Sequence, residues 1–208
     1  HSGGCGANSL RKRRQVMGKK TRTQTPSQTV GPFFHDALVS KDCNILVNER
    51  TRGQRIRISG KVLDGEGVPI PDALVEIWHG DRNGIYPHPH DPRVGDLDED
   101  FRGFGRAATD DEGLYWFDTI KPGATPSYTN SGQAPFIAVR VFARGLLTHA
   151  VTRMYFEDEV NDRDPVLNQV SRDRRATLLA KREGKDSTSD YRFNIKLQGT
   201  HETVFFDV

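Results

Sequence analysis

From residue 55 to the C-terminus the chain is written in short apolar runs of period two, separated by turn residues, a pattern that predicts strands. In Arg55–Val62 the side chains of Ile56, Ile58 and Val62 fall on one face of an extended segment. A turn at Asp64-Gly65, followed by Pro69-Ile70-Pro71, predicts that this strand pairs antiparallel with Leu74–Trp78. Similar runs follow at 114–118, 136–142, 149–156, 190–197 and 203–207, and DRNG at 81–84 and DDEG at 110–113 supply further turns. Only Ser171–Glu183 has the period of a helix, with Ser171 or Asp173 as its cap. Many short strands, one short helix and no internal repeat predict a mainly β fold with a β-sandwich core. The organising stretch is Asp118–Gly145, in which Pro122, Gly123, Pro126, Asn130 and Gly132 bridge two strand patterns and place side chains at a sheet rim.

A chain of 208 residues is long enough for one sizeable all-β domain, and 11 Phe, 5 Tyr and 2 Trp supply the bulk to fill its core. Charge divides the chain in two. Residues 1–24 hold seven of the 30 Lys and Arg and none of the 28 acids, which leaves 23 basic against 28 acidic residues elsewhere. That segment has too little apolar periodicity to fold alone and is expected to be a flexible arm, with 25–208 as a single domain. Met17 is a candidate natural start within it. The arm has no interleaved aromatics and nothing downstream resembles a nucleic-acid module, so no nucleic-acid partner is expected. Two cysteines, Cys5 and Cys43, make no disulfide framework, which fits a reducing compartment. No run approaches the ~20 apolar residues of a membrane span. A cytoplasmic protein with no membrane partner is the resulting expectation.

Segment 25–34, TPSQTVGPFF, is restricted by two prolines and a glycine and ends in paired aromatics, as an arm laid across a surface requires. Generic chemical signatures fail: there is no CxxC, HExxH, GxSxG or GxGxxG, and the SGKV at 59–62 lacks the spacing and hydroxyl of a phosphate loop. The most suggestive local cluster is Tyr86-Pro87-His88-Pro89-His90. If the prolines keep it extended, Tyr86, His88 and His90 face one way and offer a phenolate and two imidazoles to a metal; otherwise it is a mobile surface loop whose histidines bind nothing specific.

Several longer motifs carry a resemblance. TPSQTVGP at 25–32, TIKPG at 119–123, FARG at 142–145, TRMYFEDE at 152–159, DPVLN at 164–168 and the C-terminal YRFNIKLQG and ETVFFDV resemble the intradiol ring-cleaving dioxygenases from Thr25 to Val208. The resemblance implies a β-sandwich and a hetero-oligomer of α-type and β-type chains. It also implies a ferric ion held by two tyrosines and two histidines, whose phenolates favour the ferric state. The first tyrosine of that pattern falls on Tyr86, the second on Thr125, and the two histidines near Phe136 and Ala138. Three of the four ligands are therefore missing, no His or Tyr lies between Tyr128 and His149 to restore the pair, and the pocket is expected to be vestigial. By the same resemblance Fe³⁺ belongs to an iron-bearing β-type partner, and Thr29, Gly31 and Pro32 of the arm approach that partner's active site. Arg144 is expected to face the substrate there. Protocatechuate carries a ring carboxylate that a guanidinium grips with two charge-assisted hydrogen bonds, and an ordinary ion pair is the alternative role for this residue.

Overall fold

A computed structural model describes residues 29–31, 34–126, 132–184 and 189–207. The basic segment 1–24, Pro32 and Asn130 lie outside the described residues. The elements are a five-residue helix α1 (Phe34–Leu38) and strands β1 (Arg55–Leu63), β2 (Leu74–Trp78), β3 (Phe104–Ala108), β4 (Leu114–Ile120), β5 (Phe136–Phe142), β6 (Ala150–Phe156), β7 (Leu179–Glu183), β8 (Ser189–Arg192) and β9 (Ile195–Lys196). The hydrogen-bonded order is β3-β2-β5-β6-β7-β8-β1-β4, with β9 beside the end of β1. β7 is the fold line of this ladder. Its Leu179 and Ala180 run parallel to β6, and its Lys181, Arg182 and Glu183 run antiparallel to β8. The two wings close on each other as a sandwich, and one apolar cluster joins Ile56, Ile58, Phe117 and Tyr191 of one wing to Val75, Ile77, Val139 and Met154 of the other.

The predicted strands at 74–78 and 136–142 coincide with β2 and β5, and the even positions of β1 face the core as their alternation requires. Three expectations are corrected. β1 and β2 do not pair: β1 lies between β4 and β8, and β2 between β3 and β5. The turn between them forms, with Asp64 Oδ1 accepting from Glu66 N–H and Val68 N–H, but the chain then leaves for the opposite wing. Ser171–Glu183 is not a helix. It runs through turns and a 3₁₀ segment (Arg175–Leu178) into β7, because Leu178 and Ala180 are buried only if the chain joins β6, which overrides the helix-forming Lys181, Arg182 and Glu183. Residues 203–207 form no ladder but act as a strap. Phe206 N–H donates to Val151 O at 2.8 Å, and Val204 and Phe206 cover one face while Phe205 packs on the main core. β3 escapes the pattern altogether, since FGRAA has little β-branched content.

His79, directly after β2, ties the wings together from inside. It is fully buried, its Nδ1 lies 2.8 Å from Gly80 O, and its Nε2 lies 2.9 Å from Thr119 Oγ1 on β4. The carbonyl accepts only, so Nδ1–H donates to it and Nε2 accepts from the Thr119 hydroxyl: the neutral imidazole satisfies both. Burial lowers its pKa from 6.5 to about 4, outweighing the Gly80 bond that favours the cation. As pH falls the unfolded chain takes up this proton first. Stability contributed by the neutral ring is thus complete above about pH 6.5 and is lost toward about pH 4. The expected loss is up to about 3 kcal/mol. In urea titrations across this range His79→Gln should show a shallower pH dependence than the native chain, and identical slopes would reject the assignment.

Candidate functional site

The pairing of β5 decides what lies on the outer face of its wing. Ala138 stands opposite Trp78 of β2 and Arg153 of β6, and Phe136 stands opposite Tyr155. Side chains alternate along a strand, so Phe136, Ala138, Arg153 and Tyr155 share the face away from the core that Ile137 and Val139 enter. That face is covered by Tyr86 of the connection 79–103, by Thr125 and Gln133, and by a second apolar cluster of Ala134, Phe136, Tyr155, Leu167, Val170 and Leu178.

Two loops bring Tyr86 and Thr125 to the same place. Asp81 is buried and its Oδ1 accepts from Asn83 N–H and Ile85 N–H, closing the turn before Tyr86. At Gly84 a side chain would lie 2.2 Å from Ala124 O, and at Gly123 one would lie 2.4 Å from Arg82 O, so only glycine lets the two loops stack. Tyr86 N–H donates to Asp91 Oδ2 at 3.0 Å. Burial alone would raise the Asp91 carboxyl, but its hydrogen-bonded ion pair with Arg93 and the N–H groups of Tyr86 and Arg93 hold it well below the usual carboxylate range. The Tyr86 side chain leans on Trp78, with ring centroids 5.8 Å apart, and hydrogen-bonds to Thr125. Burial pushes its phenol up, against that hydrogen bond and the positive charge of Arg153, and it stays neutral at pH 7.

All four positions expected to mark the metal site, Tyr86, Thr125, Phe136 and Ala138, therefore meet on one face, but the group among them is a guanidinium. Arg153 Cζ lies 4.2 Å from the Phe136 ring centroid, and its Nη1 donates to Gln133 Oε1 at 2.7 Å. Gln133 in turn is paired through its backbone with Thr125. Arg153 also hydrogen-bonds to Tyr155, whose hydroxyl donates to Asp164 Oδ1 at 3.0 Å. The donor set does not fit a ferric ion: one phenol, an aliphatic hydroxyl, a benzyl group and a methyl surround a permanent cation. Neither Arg153 nor Gln133 figured among the expected site residues. The detectable signal was an arginine in the middle of the apolar run 150–156, on the face opposite Thr152, Met154 and Phe156.

His88 and His90 do not join Tyr86. His88 N–H donates to Tyr86 O and His90 N–H to His88 Nδ1, so the segment is turned and not extended. Both imidazoles are exposed, ring to ring at 4.9 Å. Among the described residues no cluster of three or more His, Cys, Asp or Glu is placed to hold a metal ion.

The remaining candidates gather elsewhere. Thr29 Oγ1 accepts from Gly145 N–H at 3.1 Å, setting the arm against the turn that carries Arg144, and Gly31 O accepts from Phe34 N–H. Arg144 is ion-paired with Asp72, while its side chain stays 57% exposed. From Phe136 to Phe142 the chain is strand, roughly 20 Å at ~3.3 Å per residue, and Arg144 follows in the turn beyond, so this corner and the Arg153 pocket lie at opposite ends of β5.

Compared with known proteins, residues 29–199 match the family model described as Dioxygenase. The chain is 39% identical over 198 residues to the protocatechuate 3,4-dioxygenase alpha chain of Pseudomonas putida, covering 88% of this chain and 96% of that one. It is 36% identical over 188 residues to the protocatechuate 3,4-dioxygenase beta chain of Burkholderia cepacia, covering 85% and 77%. Among solved structures, the intradiol ring-cleavage dioxygenase from Tetranychus urticae superposes with a TM-score of 0.57 at 18% identity, over 88% of this chain and 98% of that one, and so speaks to the fold.

Asp164 holds the roof of the pocket in place, since its two oxygens also accept from Ala134, Val166 and Leu167 N–H at 2.8–3.0 Å. Asp164→Ala should cost roughly 3 kcal/mol in urea unfolding by leaving these buried donors unpaired. A loss below about 0.5 kcal/mol would contradict that role.

Proposed function

The chain belongs to the intradiol dioxygenases, a family dependent on non-haem iron, and we propose that within it the chain is the iron-free α-type subunit of a protocatechuate 3,4-dioxygenase. The assembled enzyme cleaves protocatechuate between its two hydroxyl-bearing carbons, placing both atoms of O₂ in 3-carboxy-cis,cis-muconate, a step of aromatic catabolism by the β-ketoadipate route. The observation that carries the division of labour is the donor set: Thr125, Phe136 and Ala138 offer a metal nothing comparable to phenolate and imidazole, and Arg153 stands among them. Fe³⁺ then belongs to the β-type partner, and this chain contributes interface and pocket wall. The identity to both alpha and beta chains supports a pair of related subunits.

For its own contribution we assign the corner of Thr29 and Arg144, and the resemblance adds Gly31 and Pro32 as residues that approach the partner's active site. The exposure of Arg144 and its distance from the chain's own pocket support a role outward, where a guanidinium meets the ring carboxylate of the substrate. Asp72 holds the side chain until then. Residues 25–208 are read as one domain following a basic arm. Among the described residues no helix is long and apolar enough to cross a membrane, and a cytoplasmic setting suits a dioxygenase of soluble aromatic acids.

Two measurements test this reading. Purified with its partner, the assembly should contain one iron per pair of chains, and this chain alone should be colourless; stoichiometric iron on the single chain would overturn the assignment. In the assembled enzyme Arg144→Ala should lower kcat/KM for protocatechuate roughly 10–100-fold, the loss of a charge-assisted hydrogen-bond pair, with iron content unchanged. An unaltered kcat/KM would leave Arg144 as a structural ion pair.

A further inference from the structure

We infer that Arg153 is the resident cation of the former metal pocket: its guanidinium fills the place between Tyr86, Gln133, Phe136 and Tyr155, and it bars a metal ion from the pocket independently of the missing ligands. This inference rests on the reading of the chain as the iron-free subunit, but concerns a residue that the loss of ligands does not explain.

The geometry is that of a built site. Each vestigial position is tied to Arg153, three of them directly and Thr125 through Gln133. Ala138 is its cross-strand partner, Phe136 lies under its guanidinium plane, Tyr86 feels its charge, and Thr125 is paired with Gln133, which accepts its N–H. Ala138 is too small to hinder a long side chain opposite it, and an imidazole there would contest the same space. Tyr155 extends the network to the buried Asp164, so the positive charge faces a carboxylate at one remove, through a phenol. Among the described residues no carboxylate is ion-paired with Arg153, and its compensation comes from Gln133, phenol oxygen and the Phe136 π face. A guanidinium remains protonated at any physiological pH, so the pocket cannot discharge it to admit a second cation. A multivalent ion placed within a few ångströms would meet strong like-charge repulsion in a partly buried setting.

The test uses the assembly with its partner chain and reads iron per pair of chains, together with the visible tyrosinate-to-iron absorption. Thr125→Tyr, Phe136→His and Ala138→His restore the ligand types beside Tyr86. With Arg153 intact, this triple variant should gain no iron over the native assembly. Adding Arg153→Gln should raise iron toward twice the native ratio and strengthen the visible band. Iron gained by the triple variant, or none gained by an assembled quadruple variant, overturns the inference while leaving the subunit assignment standing. Iron already present on the native chain would instead overturn the assignment itself.

A second assay needs no restored ligand and decides alone if those variants do not assemble. Arg153→Ala should lower Tm by about 3 °C or more, and millimolar ethylguanidinium should recover much of that loss where equimolar ethylammonium does not. No loss, or equal recovery by both cations, would show that no guanidinium site exists.

Discussion

Strand β5 is hydrogen-bonded on both flanks, to β2 and to β6, and this double pairing is the constraint from which the outer face of its wing follows. A slip of one residue would turn Ile137, Val139 and Val141 out of the core and drive Phe136, Ala138 and Arg140 into it. With one face committed to the sandwich, the other has no freedom. Ala138 must stand between Trp78 and Arg153, and Phe136 must meet Tyr155. The loops that roof this face are then held by their own devices: the Asp81 turn, the stacked Gly84 and Gly123, and the hydrogen bonds converging on Asp164. A change of function at such a site can proceed by side-chain replacement alone, because the backbone positions are enforced from the opposite face of the sheet.

The two wings need more than apolar contact to keep their relative placement, and polar ties supply it at the ends of the core. His79 reaches from the end of β2 to Thr119 on β4. Lys121, just beyond β4, pairs with Asp158 at 3.1 Å and Glu159 at 2.7 Å just beyond β6, above the rings of Phe156 and Tyr191. Burial opposes the charge on this ammonium, but the hydrogen bonds to Glu159, Asp158 and Tyr191 prevail and raise its pKa. Directional bonds of this kind fix a register between sheets that a purely apolar interface leaves free to slide.

Much of this was legible in the chain because the period-two signal is strong where one strand face is buried. β2 and β5 are read at their bounds for that reason, and the turns at Asp64, Asp81 and Asp110 for the Asx chemistry that closes them. The failures share a cause, which is that local composition carries no account of long-range pairing. Lys181, Arg182 and Glu183 prefer a helix, yet Leu178 and Ala180 are buried only as part of a ladder; Phe205 and Phe206 alternate like a strand but are used on two different clusters. The expected metal-site positions Tyr86, Thr125, Phe136 and Ala138 were named by resemblance, and the structure brings them to one face. Arg153 was not, since it lies within a motif that matched and only the β5–β6 register shows what stands opposite.

On the proposed reading, absent ligands and a fixed positive charge are physically distinct obstacles to a metal ion, and the second stands even where the first is removed. A pocket stripped of imidazoles alone would be a polar cavity in which water could replace donors, and a stray metal could still bind weakly through Tyr86. A guanidinium held by Gln133 and Tyr155 removes that option, because any incoming cation must first displace a group that cannot lose its proton. The same side chain also serves the fold: it places a π-stacked, hydrogen-bonded group over the Phe136 ring. On the proposed reading a scaffold that holds no iron keeps its strand register and its loop anchors. On that same reading its contribution to catalysis falls at an edge that faces outward, where Thr29 meets Gly145 and Arg144 remains accessible.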